Sequence, residues 1–242
     1  MDPHTVLGYW DSAAIAYQAS RADGPLALSS FYEPVVLELV GEVAARRVLD
    51  AGCGDGHLAR ALAAAGALVT AVDGSSQMLA LAAAHGGDDG IEYNAADLTR
   101  PLPMPDGSFD VIVANMVLMD LPDIDIVMSE FARVLSRSGR FVFSLTHPCF
   151  FVSDWVHDEA GGKRHKAIVD YLAPTVERMS FWGTTLHFHR PLSAYFDALA
   201  RAGFVVDDFK EPVPSEAQVE RRPEWRHHRR VPSFVVARAL RR

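Results

Sequence analysis

The stretch VLDAGCGDGHLARAL, residues 48–62, decides the fold. It opens on a short apolar run, passes through glycines at alternate positions (Gly52, Gly54, Gly56) and closes on an apolar pattern of helical period. A buried strand, a tight turn and a helix follow from that order. The glycines permit unusual dihedrals and let a ligand approach the backbone. The spacing is GxGxG, not the GxGxxG of dinucleotide sites, and a glycine-rich turn alone is a weak signal.

Outward from this turn, strands and helices alternate. LVTAVD is a second strand ending on Asp73, and SSQMLALAAAHGG a helix capped by Ser75 or Ser76 with glycines after it. IEYNAAD is a third strand and GSFDVIVANMVL holds a fourth. DIVMSEFARVLSRSG reads as a helix closing at Gly139, before a fifth strand, RFVFSLTH. Such alternation predicts a parallel sheet with right-handed crossovers. Ligands of these sheets sit beyond the carboxyl ends of the strands, here residues 50–56, Asp73, Asp97, Asn115 and His147. RPLSAYFDALARAGF is a further helix, with Pro191 near its first turn and Gly203 at its end. FVVDDFKEP and PSFVVARAL are two more strands. The polar segment joining them, residues 215–230, leaves no room for a clear crossover helix, which favours a hairpin-like antiparallel addition to the sheet edge.

The chain has 242 residues, a formal charge of −8 and 49% hydrophobic residues, enough for a single domain spanning residues 1–242. No apolar run is long enough to span a bilayer, and the start MDPHTVLGYWDS lacks the pattern of a secretory signal. Cys53 and Cys149 are too few for a disulfide framework. A reduced cytoplasm and no membrane partner are expected. The acidic balance argues against nucleic acid, because phosphate contacts need clustered cations. RRPEWRHHRR, residues 221–230, is the local exception and reads as a solvated loop.

Asp73 lies about twenty residues beyond the glycine turn, where an acid grips ribose hydroxyls. That suits a dinucleotide and a simpler nucleoside alike. Three features separate the two. A carboxylate at Asp50 would repel a pyrophosphate but suits an ammonium or sulfonium. Asp97, closing AAD, can accept from an adenine amino group. Asn115 stands at the mouth of the fourth strand.

At these residues the sequence resembles the class I S-adenosylmethionine-dependent methyltransferases. The resemblance is carried by VLDAGCGDG, VTAVDGSSQML, NAADLTRPLPMPDGSFDVIVANMVLMDLPD and EFARVLSRSGRFVFSLTHPCF, and continues more loosely to the last strand. It implies an α/β fold: a Rossmann-like, seven-stranded, mostly parallel sheet with helices on both faces and an antiparallel last strand. It implies S-adenosyl-L-methionine as cofactor. Ala51, Gly52 and Gly54 would line its methionine portion, Asp73 would hold the ribose, and Met78 would pack on adenine. Asp97 and Leu98 would flank the adenine edge, and Asn115 and Met116 would sit beside the sulfonium. Asp50, Gly74 and Ala96 complete the implied strand-end set. The N-terminal piece, residues 1–40, with Tyr9, Trp10, Tyr17 and Arg21, is expected to cover the donor, Tyr17 lying near the sulfonium.

Methyl transfer from a sulfonium is an in-line displacement, so the enzyme mainly aligns the acceptor and excludes water. A hydroxyl acceptor also calls for a base. His147, which ends the fifth strand before Pro148, Asp120 in LMDLPD, and His189 are the candidates. His187 and His189 alternate and share a face, but no carboxylate partner is evident and no metal is expected. The insert of residues 148–190 reads as a long irregular connection and is the expected lid and acceptor pocket. Its Phe150, Phe151, Trp155, Tyr171, Phe181 and Trp182 suit an apolar or planar acceptor. His147, Phe150, Trp155, Trp182 and His189 are the candidate acceptor contacts. The expected activity is methylation of an oxygen or nitrogen on a small metabolite, of the secondary-metabolic kind, by a monomer or homodimer. RNA (tRNA) methylation is an alternative kept open by the arginine-rich segment, although NMVLMD stands where base methyltransferases often carry an NPPY-like motif. A nicotinamide-dependent oxidoreductase is disfavoured by GxGxG and Asp50, and a donor-binding protein without turnover is the third rival.

Overall fold

The computed structural model describes residues 3–20, 25–85 and 90–242; Arg21 and the glycines Gly86 and Gly87 lie outside them. Two helices, α1 (Pro3–Ala19) and α2 (Ser29–Val40), precede the first strand. Then come β1 (Arg47–Ala51), α3 (His57–Ala64), β2 (Leu68–Asp73), α4 (Ser76–Ala84), β3 (Glu92–Ala95), β4 (Phe109–Asn115), α5 (Asp125–Val134) and β5 (Leu135–Thr146). The insert contributes β6 (Asp154–His157), β7 (Lys163–Ala167), β8 (Thr175–Met179) and β9 (Thr185–His189). The chain finishes with α6 (Leu192–Arg201), β10 (Phe204–Lys210), α7 (Glu216–Arg221) and β11 (Phe234–Arg241).

Seven strands form one sheet in the order β10-β11-β5-β4-β1-β2-β3. The strands β1 to β5 pair in parallel, while β11 is antiparallel to both its neighbours, β5 and β10. This is the fold class expected from the sequence. The centre of the sheet is apolar on both faces because helices cover both. Successive residues alternate between the two cores. Leu49, Ile112, Phe141 and Phe143 face α5 and α6, where Phe131 and Tyr195 are fully enclosed. Val48, Val111, Val113 and Val142 face α2 and α3. Helix α4 begins where expected, with Ser75 Oγ accepting from Met78 N at 3.2 Å. No helix among the described residues is long and apolar enough to cross a membrane.

Three expectations are corrected. Helix α5 ends at Val134, not Gly139, because Leu135 turns extended and pairs with Phe109 at the start of β5. The segment before β11 is not a solvated loop. Its α7 starts on a capping box in which Ser215 and Gln218 satisfy each other, and a 3-10 turn, Pro223–Arg229, follows. Trp225 and His228 of that turn are buried against Phe31 of α2. The segment thus carries the chain back so that β11 slots between β5 and β10, leaving β10 at the edge. Residues 148–190 are not irregular but fold as two antiparallel hairpins, β6–β7 and β8–β9.

Candidate active site

The strands β1, β2 and β4 end at one side of a cavity of about 250 Å³. The turn after β1 is left-handed at Gly52 (φ 75°) and Gly54 (φ 55°). A Cβ at Gly52 would lie 2.5 Å from Val117 Cγ2, so only glycine fits there. Asp73, at the end of β2, ties the glycine turn to the start of α4: its oxygens accept from Gly54 N and Ser75 N, each at 2.8 Å. Burial raises the Asp73 pKa, and those backbone N–H groups oppose the rise. Asp97 lies two residues beyond β3 in a turn, where its Oδ1 accepts from Thr99 N at 2.9 Å and Thr99 Oγ1 at 2.6 Å.

At the end of β4, Ser144 Oγ donates to Asn115 Oδ1 at 2.5 Å and accepts from Met116 N at 3.0 Å. Met116 adopts a φ of 57°, a left-handed conformation rare for a side chain of its kind. Asp120 follows in a 3-10 turn, Leu118–Asp120, and burial, then the charge of Asp73, raises its pKa well above the usual carboxylate range.

Of the residues singled out from sequence, Tyr17, Gly52, Gly54, Asp73, Gly74, Met78, Asp97, Leu98, Asn115, Met116, Asp120 and Trp182 all line this one cavity. Asp50, Ala51 and Ala96 do not reach its wall. Ala51 is enclosed in the core and Ala96 packs beside it, its N–H bonded to Asp73 O at 3.0 Å. Asp50 is buried with no partner for Oδ2 among the described residues. Burial, then the charge of Asp73, pushes it up to about 7.

The acceptor-side expectations fare differently. His147 turns away from the cavity. Its Nδ1 accepts from Cys149 N at 3.2 Å, so its Nε2 donates to Glu211 Oε1 at 2.9 Å, and Phe150 stacks on its outer side at 4.6 Å. Burial outweighs Glu211 and lowers the His147 pKa. His189 donates from Nε2 to Tyr171 O at 2.8 Å and also stands outside the cavity wall. Trp155 lies on β6 beneath Lys163 and Lys166, with His227 at its edge, in a separate cluster. The cavity wall instead takes Phe151, one residue on from Phe150, and His187, two residues before His189. Thr146, Thr185, Trp10 and Phe181 join them. The alternation of Thr185, His187 and His189 along β9 was the legible signal, because it places all three on one face; only the position of the cavity along the strand was not.

The roof is held by contacts between α1 and the insert. Trp182 lies 5.9 Å from Trp10 and 5.0 Å from Tyr17, ring centre to ring centre. Its Nε1 donates to Ser20 Oγ at 2.7 Å. At the other end of this roof, Asp11 Oδ1 accepts from Ser75 Oγ at 2.7 Å and Gln77 N at 3.1 Å, pinning α1 to the first turn of α4. Leu7 closes over Gly74, its Cδ2 lying 2.4 Å from where a Cβ would stand, so a side chain there would have to displace that methyl.

The chain is similar to known proteins in sequence and in fold. The family described as Methyltransferase domain matches residues 49–143. A ubiquinone biosynthesis O-methyltransferase of Bordetella avium (strain 197N) is 33% identical over 138 residues, 56% of this chain and 55% of that protein. The chain spans about half the length of the curated relatives it matches. The crystal structure of an S-adenosylmethionine-dependent methyltransferase from Mesorhizobium loti superposes with a TM-score of 0.79 at 32% identity, covering 87% of this chain and 97% of its own. Geranyl diphosphate C-methyltransferase from Streptomyces coelicolor A3(2) shares the fold alone, with a TM-score of 0.65 at 16% identity over 99% of this chain and 98% of its own.

Proposed function

This chain belongs to the S-adenosylmethionine-dependent methyltransferases, and we propose that within that family it methylates an oxygen or nitrogen of a small aromatic or apolar metabolite, of the secondary-metabolic kind. The observation that carries this reading is a single cavity with two unlike sides. Polar strand-end residues line one side, and Trp10, Tyr17, Phe151, Phe181 and Trp182 line the other.

The polar side suits the donor. The backbone at Gly54 is open to approach, and Asp73 and Asp97 present carboxylates to the cavity. Asp50, buried behind the glycine turn and with its pKa raised to about 7, would be driven towards its charged form by a cationic ligand and away from it by a pyrophosphate. When bound, S-adenosylmethionine supplies an electrophilic methyl group on a positively charged sulfur. Asp73 would hold its ribose, Met78, Asp97 and Leu98 its adenine, and Gly52 and Asn115 its methionine end. The aromatic side excludes water and presents flat apolar surfaces that orient an acceptor for in-line attack. The name O-methyltransferase on the curated relatives favours oxygen. The case for RNA is weakened because two of the five arginines in residues 221–230 are tied up within the protein. Arg229 is engaged with Glu216 and Pro214 O, and Arg230 with the backbone of Lys163 and Arg164.

Calorimetry with S-adenosylhomocysteine and NAD in parallel tests the donor side: binding of the first alone is expected, and binding of NAD alone overturns the reading. Transfer of labelled methyl to a panel of phenols, anilines and bulk tRNA tests the acceptor side. Labelled tRNA with unlabelled small molecules would replace the small-molecule proposal.

A further inference from the structure

We infer that His187 takes the proton of a hydroxyl acceptor, so that the preferred substrate is a phenol or alcohol with an apolar body; this rests on the methyltransferase reading above. His187 lines the same cavity as Gly52, Asp73 and Asn115. It is buried, and its ring stacks on Phe151 at 4.9 Å, which fixes its plane. The rings of His147, His189, His227 and His228 all have a nitrogen tied to a protein partner. Among the described residues, no hydrogen bond ends on the His187 ring. A buried imidazole left in that state fits a partner that enters the cavity. A second group points the same way. Thr146 is among the residues lining the cavity, and its Oγ1 is buried without a partner among the described residues. A hydroxyl substrate satisfies both at once, donating its proton to His187 while its oxygen accepts from Thr146.

The protonation state agrees. Burial, then the neighbouring His189 and Arg190, pushes His187 down to about 4, leaving a neutral ring at physiological pH. The other ionisable groups around it are Glu177, opposite on β8, Tyr17 of α1, and Asp73, Asp97 and Asp120 along the cavity wall.

In the step itself the acceptor oxygen forms a bond to the methyl carbon as the carbon–sulfur pair leaves with sulfur. The oxygen keeps the electron pair of its O–H bond, and the proton passes to the imidazole. Sulfur loses its positive charge as the ring gains one, so the net charge of the closed cavity is unchanged. The basicity of His187, low beside a sulfonium, rises as that charge disappears. A neutral amine needs no such group, since it attacks through its lone pair and sheds its extra proton later.

The test uses 4-nitrophenol and 4-nitroaniline with the full chain saturated in S-adenosylhomocysteine. For the wild type at about pH 6, bound nitrophenol should stay protonated while the resonances of the neutral His187 ring shift by NMR as it accepts the phenol O–H. His187→Gln, which keeps the volume, should weaken nitrophenol binding several-fold yet bind S-adenosylhomocysteine within about twofold. With S-adenosylmethionine, His187→Gln and His187→Ala should lower kcat for the phenol about a hundredfold or more, with KM much less affected, and the variants should lose the acid limb of the pH profile. A His187 ring resonance unmoved by nitrophenol, failure of nitrophenol to bind the wild-type complex, or faster methylation of the aniline would each overturn the inference. Failure of S-adenosylhomocysteine to bind would instead overturn the methyltransferase reading beneath it.

Discussion

Across the cavity two surfaces face each other that were assembled in opposite ways. On the sheet side, consecutive strands release their chains at the same level, and Gly52, Asp73, Asp97 and Asn115 arrive there as the residues that end or follow those strands. Their positions are held by backbone N–H groups of adjoining strand ends and turns, as in the bonds from Gly54 and Ser75 to Asp73 and from Met116 to Ser144. On the roof side, α1 and the β8–β9 hairpin meet although more than half the chain separates them. That contact is made by aromatic rings and by single bonds such as Trp182 to Ser20. The sheet side is rigid and polar; the roof is large, apolar and tied down at few points. Elements held by few contacts open at lower cost than the core, which is the property a cover needs.

A carboxyl buried behind the sheet side and an imidazole on the insert answer to pH with opposite sign. Asp50 has a folded value of about 7, against about 4 for an unfolded carboxyl. As pH rises, the unfolded chain releases that proton first. The stability Asp50 contributes is therefore present below about 4 and lost as pH rises to about 7. His187 has a folded value of about 4, against about 6.5 unfolded. As pH falls, the unfolded chain takes up that proton first. Its contribution is complete above about 6.5 and lost as pH falls to about 4. His228, pushed down to about 3 by burial, adds to the same acid sensitivity.

The sharpest break in the comparison is Gly52→Val. It places a branched side chain at a φ of 75° and against Val117, and should cost about 4 kcal/mol of stability, read by urea unfolding. A loss under about 1 kcal/mol would show that the turn can relax and that the sheet side is not rigid. Asp50→Asn should act in the other direction on the ligand-free protein. At pH 8 it should stabilise by about 4 kcal/mol, at roughly 1.4 kcal/mol per unit of pKa shift, and at pH 4 by almost nothing. Equal effects at both pH values would remove Asp50 as the source of the pH response. Asp73→Ala should weaken S-adenosylhomocysteine binding by about 2 kcal/mol, some 30-fold, as for a lost charge-assisted hydrogen bond. Unchanged affinity would take Asp73 out of the donor site. The smallest effect expected is that of Trp182→Ala. Loss of its ring contacts should cost about 1 kcal/mol in affinity for an aromatic probe such as 4-nitrophenol while donor binding holds. A donor affinity that falls equally would show that roof and sheet side act as one unit.

Sequence patterns read the sheet side well because each of its residues is placed by a local rule. Alternating strands and helices dictate a parallel sheet, and residues at carboxyl ends must then converge. Such reasoning faltered where a side chain's direction depends on a distant partner. His147 was legible as the end of β5, but its ring is turned by Glu211, beyond the end of β10. Helix α5 looked longer than it is because nothing in SRSG forbids another turn, whereas Leu135 is claimed by Phe109 of β4. Choosing between Phe150 and Phe151, or between His187 and His189, required knowing which stretch of the insert lies over the cavity.

What the sequence determined by itself was the convergence of the strands' ends, the glycine turn after the first strand and the acid that ends the second, since hydrophobic period and backbone sterics act over a few residues. Only the tertiary structure decided that β11 enters between β5 and β10, that α1 meets the β8–β9 hairpin, and that His187 rather than His147 faces the cavity. Those outcomes rest on contacts between segments far apart in the chain, whose strength depends on shape and burial that no local pattern encodes.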